Sequence, residues 1–89
     1  MIRKEKVTKI IDGDTFKTAS RKNPVRLANV DAPEKGKPGS TKVTEALSKM
    51  IKGEKVRIDT VSRDKYGRTV ANVYVGRESV NKKMQKKLK

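Results

Sequence analysis

Hydrophobic positions in the first third of the chain recur with a strand period. From Lys6 to Ala19, Val7, Ile10 and Ile11 lead to Asp12-Gly13, and Thr15 to Ala19 follows. This predicts two strands around a tight turn, with the glycine taking the positive φ that hairpin turns favour. A polar stretch, Ser20 to Pro24, makes the next turn, and Val25 to Val30 is predicted as a third strand with Leu27 and Val30 in the core. Asp31 to Ser40 holds two prolines and two glycines and reads as an irregular surface loop. The period then changes. Val43, Ala46, Leu47, Met50 and Ile51 form one helical stripe, with Gly53 as its stop and Ser40 or Thr41 as its N-cap.

After Gly53 the period returns to two. Val56, Ile58 and Thr60 alternate with Arg57 and Asp59 as a fourth strand, Ser62 to Gly67 makes a charged turn, and Arg68 to Val75 is a fifth strand. In it, Val70 and Val73 or Ala71 and Tyr74 are expected to face the core. Ser79 is placed to cap a last helix with Val80, Met84 and Leu88 on one stripe. The order βββ–α–ββ–α, read as one domain over residues 1–89, is a mainly β (α+β) design. It fits a five-stranded Greek-key barrel of the OB-fold type, with a helix between strands three and four and a short C-terminal helix.

Composition narrows the chemistry. At 89 residues, 33% hydrophobic and 38% charged, the chain can build only a thin core, which suits a small barrel. Its 24 Lys and Arg against 10 Asp and Glu give a net charge of +14, which points to a polyanion as partner. The basic residues are spread along the chain, so a membrane anchor is not indicated, and the lysine-rich tail from Lys82 to Lys89 reads as a solvated helix face. No signal peptide or membrane span is read at Met1 to Lys6, and the compartment stays open. With no cysteine and no histidine, thiolate nucleophiles, cysteine zinc sites and histidine general bases are excluded. Catalysis would run on carboxylates, arginine, lysine, tyrosine or a hard metal ion.

Three segments carry that chemistry, each at a strand end. In Asp12-Gly13-Asp14-Thr15 a turn explains Asp12 and Gly13 and leaves Asp14 over. In Arg26-Leu27-Ala28-Asn29-Val30-Asp31-Ala32-Pro33-Glu34, alternation groups Arg26 with Ala28 and Val30 and directs it toward a core side. A guanidinium there needs a carboxylate or phosphate partner, and an internal Arg–Asp salt bridge is the structural alternative. The third, Asp64-Lys65-Tyr66-Gly67-Arg68, is by itself an ordinary polar turn.

Taken together, in this order and over Val7 to Met84, the three segments resemble the staphylococcal nuclease (thermonuclease) family. The resemblance implies that Asp14 and Asp31 are carboxylate ligands of Ca2+, with the Ala32 backbone carbonyl as a third oxygen. It further implies that Glu34 is the general base, that Arg26 and Arg68 bind the scissile phosphate, and that Lys65 and Tyr66 hold a neighbouring phosphate. The implied reaction is endonucleolytic hydrolysis of DNA or RNA to 3′-phosphate products, with single-stranded or breathing duplex preferred and the protein acting as a monomer. Longer family members continue with a tyrosine-bearing loop and a third helix beyond the point matching Lys89, and their loop matching residues 35–41 is longer. The rival expectation is a non-catalytic OB-type module that binds single strands. Only three aromatics, Phe16, Tyr66 and Tyr74, are available for stacking in that reading.

Overall fold

A computed structural model describes residues 4–34 and 36–88. Met1 to Arg3, Lys35 and Lys89, which belong to the N-terminal lead-in, the long loop and the lysine-rich tail, lie outside the described residues. The elements are β1 (Lys4–Asp12), β2 (Thr15–Thr18), β3 (Val25–Leu27), α1 (Ser40–Ile51), β4 (Lys55–Arg63), β5 (Thr69–Val75), β6 (Glu78–Ser79) and α2 (Val80–Lys87).

The strands are ordered β3-β2-β1-β4-β5-β6, and a parallel pairing of β3 with β5 closes the first five into a barrel. This is the OB-type Greek key, with α1 between strands three and four as expected. Closure removes the sheet edges that a small thin-cored protein could least afford to expose. β1 makes it possible by pairing twice. Its C-terminal half runs along β2 (Ile10↔Phe16), and its N-terminal half meets β4 (Lys4↔Arg57). Register shifts between Val7 and Lys9 and between Ile10 and Asp12 bend it from one partner to the other.

The barrel interior holds Val7, Phe16, Val25, Leu27, Val56, Ile58, Ala71 and Val73, and Val43, Leu47 and Ile51 of α1 with Val80 and Met84 of α2 complete the core. The predicted helical stripe is the packed one, and Ala46, Met50 and Leu88 flank it half-buried. Gly53 ends α1 at φ 79°, the left-handed conformation that glycine adopts without strain, while its N–H donates to the Val7 carbonyl at 3.0 Å.

Several sequence expectations are corrected. The α1 N-cap is Gly39 at φ 82°, not Ser40 or Thr41, and no side chain caps it. β4 runs on through Ser62 to Arg63, so the hairpin turn is shorter and lies within Asp64–Arg68. A register shift between Thr60 and Ser62 breaks the alternation, leaving Thr60 and Val61 exposed. In β5 the inward set is Thr69, Ala71 and Val73, as strict alternation requires; neither expected pair obeys that period. β6, a two-residue strand paired with the end of β5, is too short to leave a periodic signal.

One ion pair staples the open side of the β1–β2 hairpin. Arg21 grips Glu5 with Nε to Oε1 at 2.7 Å and Nη2 to Oε2 at 2.9 Å, while the Ser20 and Thr18 hydroxyls also donate to Oε1. The Arg21 hydrogen bond is the largest cause of a Glu5 pKa below its ordinary 4.5, with burial opposing it. A carboxylate held low stabilises the fold above its unfolded pKa and stops doing so as pH falls through the folded one. Glu5→Gln should therefore cost about 1–2 kcal/mol at neutral pH, shrinking as pH falls below 4.5. Urea unfolding at a series of pH values checks this; a cost unchanged in acid would mean that the charge is not what matters.

Candidate functional site

The site starts from the β1–β2 turn, one residue later than the sequence suggested. Asp12 pairs with Thr15, so Gly13 and Asp14 are the turn residues. Asp14 is buried at 6% exposure. Its N–H donates to Asp12 Oδ1 at 3.1 Å, and its own carboxylate accepts from Thr15 Oγ1 at 2.8 Å and from the Ala32 N–H at 3.1 Å. Its carbonyl accepts the Leu27 N–H at 2.7 Å. Backbone and side chain together therefore tie the turn to β3 and to the loop that follows. Burial, then the neighbouring Asp12 carboxyl, push the Asp14 pKa up, against the Thr15 hydroxyl and the Ala32 N–H that favour its charged form.

Gly13 is needed for space rather than for φ, which is not positive there. A Cβ on it would stand 2.7 Å from Val43 Cγ2 and 2.8 Å from Ala32 Cβ. Gly13→Ala is thus expected to cost about 1–3 kcal/mol by overpacking and to displace Ala32. A thermal melt reads this; an unchanged melting temperature would show that α1 and the loop yield freely.

Arg26 does not point to a core side. Its neighbours Val25 and Leu27 fill the barrel, so Arg26 takes the outer face of β3, with 23% of its side chain exposed. The grouping with Ala28 and Val30 fails because β3 ends at Leu27. There the Ala28 N–H bonds the Ala71 carbonyl at 2.8 Å and Asn29, at φ 59°, turns the chain. Both Ala28 and Val30 are buried beyond that turn. The turn also brings Asp31 back to Arg26. Nη2 of Arg26 lies 3.5 Å from Asp14 Oδ2 and 3.6 Å from Asp31 Oδ1, and Nη1 donates to the Leu27 carbonyl at 3.4 Å. A guanidinium at these distances is held between two carboxylates without closing a tight fork on either.

Asp31 is fully exposed, and Glu34 is exposed with no ion pair or side-chain hydrogen bond among the described residues. Arg68 is held elsewhere. Its Nε donates to Asp64 Oδ2 at 2.6 Å, and Asp64 Oδ1 caps the Tyr66 and Arg68 N–H groups. Partial burial opposes the Asp64 charge, but the Arg68 N–H and guanidinium hold its pKa below normal. The Arg68 guanidinium and Lys65 Nζ lie 5.4 and 5.3 Å from the exposed Tyr66 ring. Topology relates this turn to Arg26. β3 lies beside β5 with Arg26 opposite Val70, and Arg68 falls two residues before Val70 in the chain, in the turn that leads into β5. Thus Asp14, Arg26, Asp31 and Ala32 form one contact cluster. Arg68, Lys65 and Tyr66 form a second group in the turn before β5, and Glu34 follows Asp31 in the loop beyond β3.

Among the described residues no group of three or more acidic side chains gathers closely enough to hold a metal ion alone. Asp14 and Asp31 supply two oxygen donors flanking one cation, a donor set suited in kind to a hard ion that takes its remaining ligands from backbone, water and substrate.

One further residue supports the cluster. Asn81, buried at 4% exposure in α2, accepts the Val73 N–H at 2.8 Å through Oδ1 and donates to the Ala28 and Ala71 carbonyls at 2.9 and 3.0 Å. Gln85, one turn on, donates to the Asn29 carbonyl at 3.0 Å. α2 therefore fixes the chain at the point where it leaves β3 for Asp31. In the sequence, Asn81 falls three before Met84 and seven before Leu88, on the apolar side of the helix, and Val80-Asn81 is part of the family resemblance.

The chain is similar to an uncharacterized endonuclease of Haemophilus influenzae, 38% identical over 84 residues, 91% of this chain and 47% of that protein. It is also similar to a thermonuclease of Staphylococcus hyicus, 35% identical over 92 residues, 91% of this chain and 54% of that protein. A micrococcal nuclease of Shigella flexneri is 34% identical over 70 residues, 76% of this chain and 40% of that protein. The chain thus spans about half the length, or less, of these relatives. The family described as Staphylococcal nuclease homologue matches residues 24–87, which include Arg26, Asp31, Glu34 and the Asp64–Arg68 turn. With that match over more than half of its length, the chain belongs to the staphylococcal nuclease homologue family.

Proposed function

We propose that the protein is a Ca2+-dependent endonuclease that hydrolyses DNA and RNA to 3′-phosphate products, favouring single-stranded or breathing duplex substrate. The observation that carries this reading is the convergence of Asp14 and Asp31 on Arg26 at 3.5 and 3.6 Å, on the outer face of a strongly basic barrel. Arg26 offsets only one of the two carboxylate charges, and the charge left over beside a polyanion favours a further cation, which a protein that only binds nucleic acid would not need. A calcium ion held by Asp14, Asp31 and the Ala32 carbonyl would polarise the scissile phosphate and acidify a bound water.

The chain's own residues do the rest. Arg26 and Arg68 clamp the equatorial phosphate oxygens and offset the charge that grows as the fifth oxygen arrives. For Arg68 this means leaving Asp64 or sharing it with the substrate. Glu34 takes the proton of the attacking water and needs solvent access to do so, which its exposed loop position provides. Lys65 and Tyr66 hold the adjoining phosphate at the hairpin tip. Nothing in the cluster demands a 2′-hydroxyl, which favours low selectivity between DNA and RNA.

The stacking resources of the rival binding reading are thinner than the sequence count. Phe16 is wholly buried, leaving Tyr66 and Tyr74. Labelled single-stranded DNA, incubated with calcium or with a chelator, separates the two. Calcium-dependent cleavage to 3′-phosphate ends, reduced about 10²- to 10⁴-fold in Glu34→Gln, is the expected result. Binding without cleavage at every calcium concentration would leave the binding module in its place.

A further inference from the structure

One carboxylate organises the turn before β5. Asp64 closes it through the main chain, its N–H donating to the Arg68 carbonyl at 3.0 Å and its carbonyl accepting the Gly67 N–H at 3.1 Å. Its side chain then divides between two tasks. Oδ1 accepts the N–H groups of Tyr66 and Arg68 at 3.0 and 2.9 Å, while Oδ2 accepts the Arg68 Nε–H at 2.6 Å. A turn needs only the first, which an asparagine would perform as well. The second touches no backbone, and a partly exposed ion pair contributes little to folding.

What the Nε contact leaves open gives it a purpose. A guanidinium can meet an oxyanion along its side edge, through Nε and one Nη, or along its end edge, through Nη1 and Nη2. The Nε bond occupies the side edge of Arg68, and neither Nη has a hydrogen-bond or ion-pair partner among the described residues. Arg26 is the reverse case, with its Nη groups against Asp14, Asp31 and the Leu27 carbonyl. The Tyr66 ring, 5.4 Å from the Arg68 guanidinium carbon, belongs to a residue whose N–H is tied to the same Asp64 oxygen that holds the Arg68 N–H.

We infer that Asp64 is a positioning residue for the phosphodiester reaction: it holds Nε of Arg68 and so presents Nη1 and Nη2, end-on, to two oxygens of the scissile phosphate, keeping its grip while substrate is bound. The inference rests on the nuclease reading above and decides between the two courses open to Arg68 there, sharing over leaving. The arrangement weakens attraction, because a carboxylate 2.6 Å from Nε offsets the charge that Arg68 offers a polyanion. Orientation and attraction therefore oppose one another at Asp64, and the sign of a substitution's effect tells which governs.

Asp64→Asn keeps an oxygen for the two N–H groups, removes the acceptor for Nε and raises the net charge by one. On labelled single-stranded DNA at saturating calcium, kcat should fall about 10- to 100-fold, the scale of a contact misplaced by about 1 Å, while KM stays level or drops as attraction grows. In an Arg68→Lys background, with no guanidinium left to aim, the same substitution should change kcat less than about twofold. A second measurement reads the contact without cutting. In chelator, nuclear magnetic resonance of isotope-labelled protein should show an Arg68 Nε–H signal that exchanges slowly, is missing from Asp64→Asn, and persists when oligothymidylate is added.

An Asp64→Asn enzyme as fast as the parent, or faster, would make Asp64 a turn residue that only restrains attraction, and would overturn the inference with the nuclease reading intact. So would an equal loss in the Arg68→Lys background, which would trace the damage to the turn, and so would disappearance of the Nε–H signal on binding, which would show Arg68 leaving Asp64 for the phosphate. A parent that never cuts fails the nuclease reading itself and takes the inference with it, a result seen before any variant is compared.

Discussion

Asn81→Ala is expected to lower the unfolding free energy by about 3 kcal/mol, a large share of what a domain of this size commands. The side chain bridges three backbone groups, but they do not suffer equally. The Ala71 carbonyl keeps the Ala28 N–H at 2.8 Å. The Val73 N–H loses Oδ1 and the Ala28 carbonyl loses Nδ2, and both belong to buried residues where β5, the end of β3 and α2 meet. Each buried group without a partner costs roughly 1–3 kcal/mol, more than the hydrogen bond itself contributes.

Asn81→Asp separates this account from simple loss of packing. The carboxylate can still accept the Val73 N–H but would face two carbonyl oxygens, so it should be at least as damaging as alanine at neutral pH and should recover partly in acid, when one oxygen carries a proton. Urea unfolding of both variants measures it. A loss under about 1 kcal/mol for Asn81→Ala would show that water or a shifted α2 satisfies the freed groups.

Much of this molecule can be read from its periodicities, and the departures have local causes. The α1 stripe and its Gly53 stop follow from side-chain spacing and from one backbone conformation, so they survive folding unchanged. Alternation misplaces Arg26 because it holds only while a strand lasts, and β3 lasts three residues. What ends it, a carbonyl on β5 and a left-handed Asn29, lies in tertiary contact and in an unusual φ, neither of which has a period. Turn chemistry calls for a glycine at position 13, but the fold needs it there for a different reason. Its neighbours Val43 and Ala32 are distant in the chain, and a close approach between elements is invisible before they are packed. The types gathered in the cluster are legible from the motif segments. That Asp14 and Asp31 meet on one guanidinium nitrogen while Arg68 is held by Asp64 emerges only with the fold.

Arg26→Lys should lower kcat on single-stranded DNA by about 10²- to 10³-fold, the scale on which removal of one well-placed transition-state donor is felt, with little change in stability. The side chain lies on the outer face, outside the hydrophobic core, and its long contacts at 3.4 to 3.6 Å contribute little to folding. Lysine keeps the charge and loses the planar fork, so substrate attraction persists while two-point grip on the phosphate fails. Arg26→Met goes further, because it also strips Asp14 and Asp31 of the cation between them. Calcium affinity should then rise even as turnover falls below that of the lysine variant, since the carboxylates no longer share their charge with a guanidinium. Calcium titration by calorimetry, beside steady-state kinetics at saturating calcium, measures both quantities. A lysine variant within about fivefold of the parent kcat would show that charge alone suffices at this position. A methionine variant with weaker calcium binding would place the ion away from the Asp14–Asp31 pair.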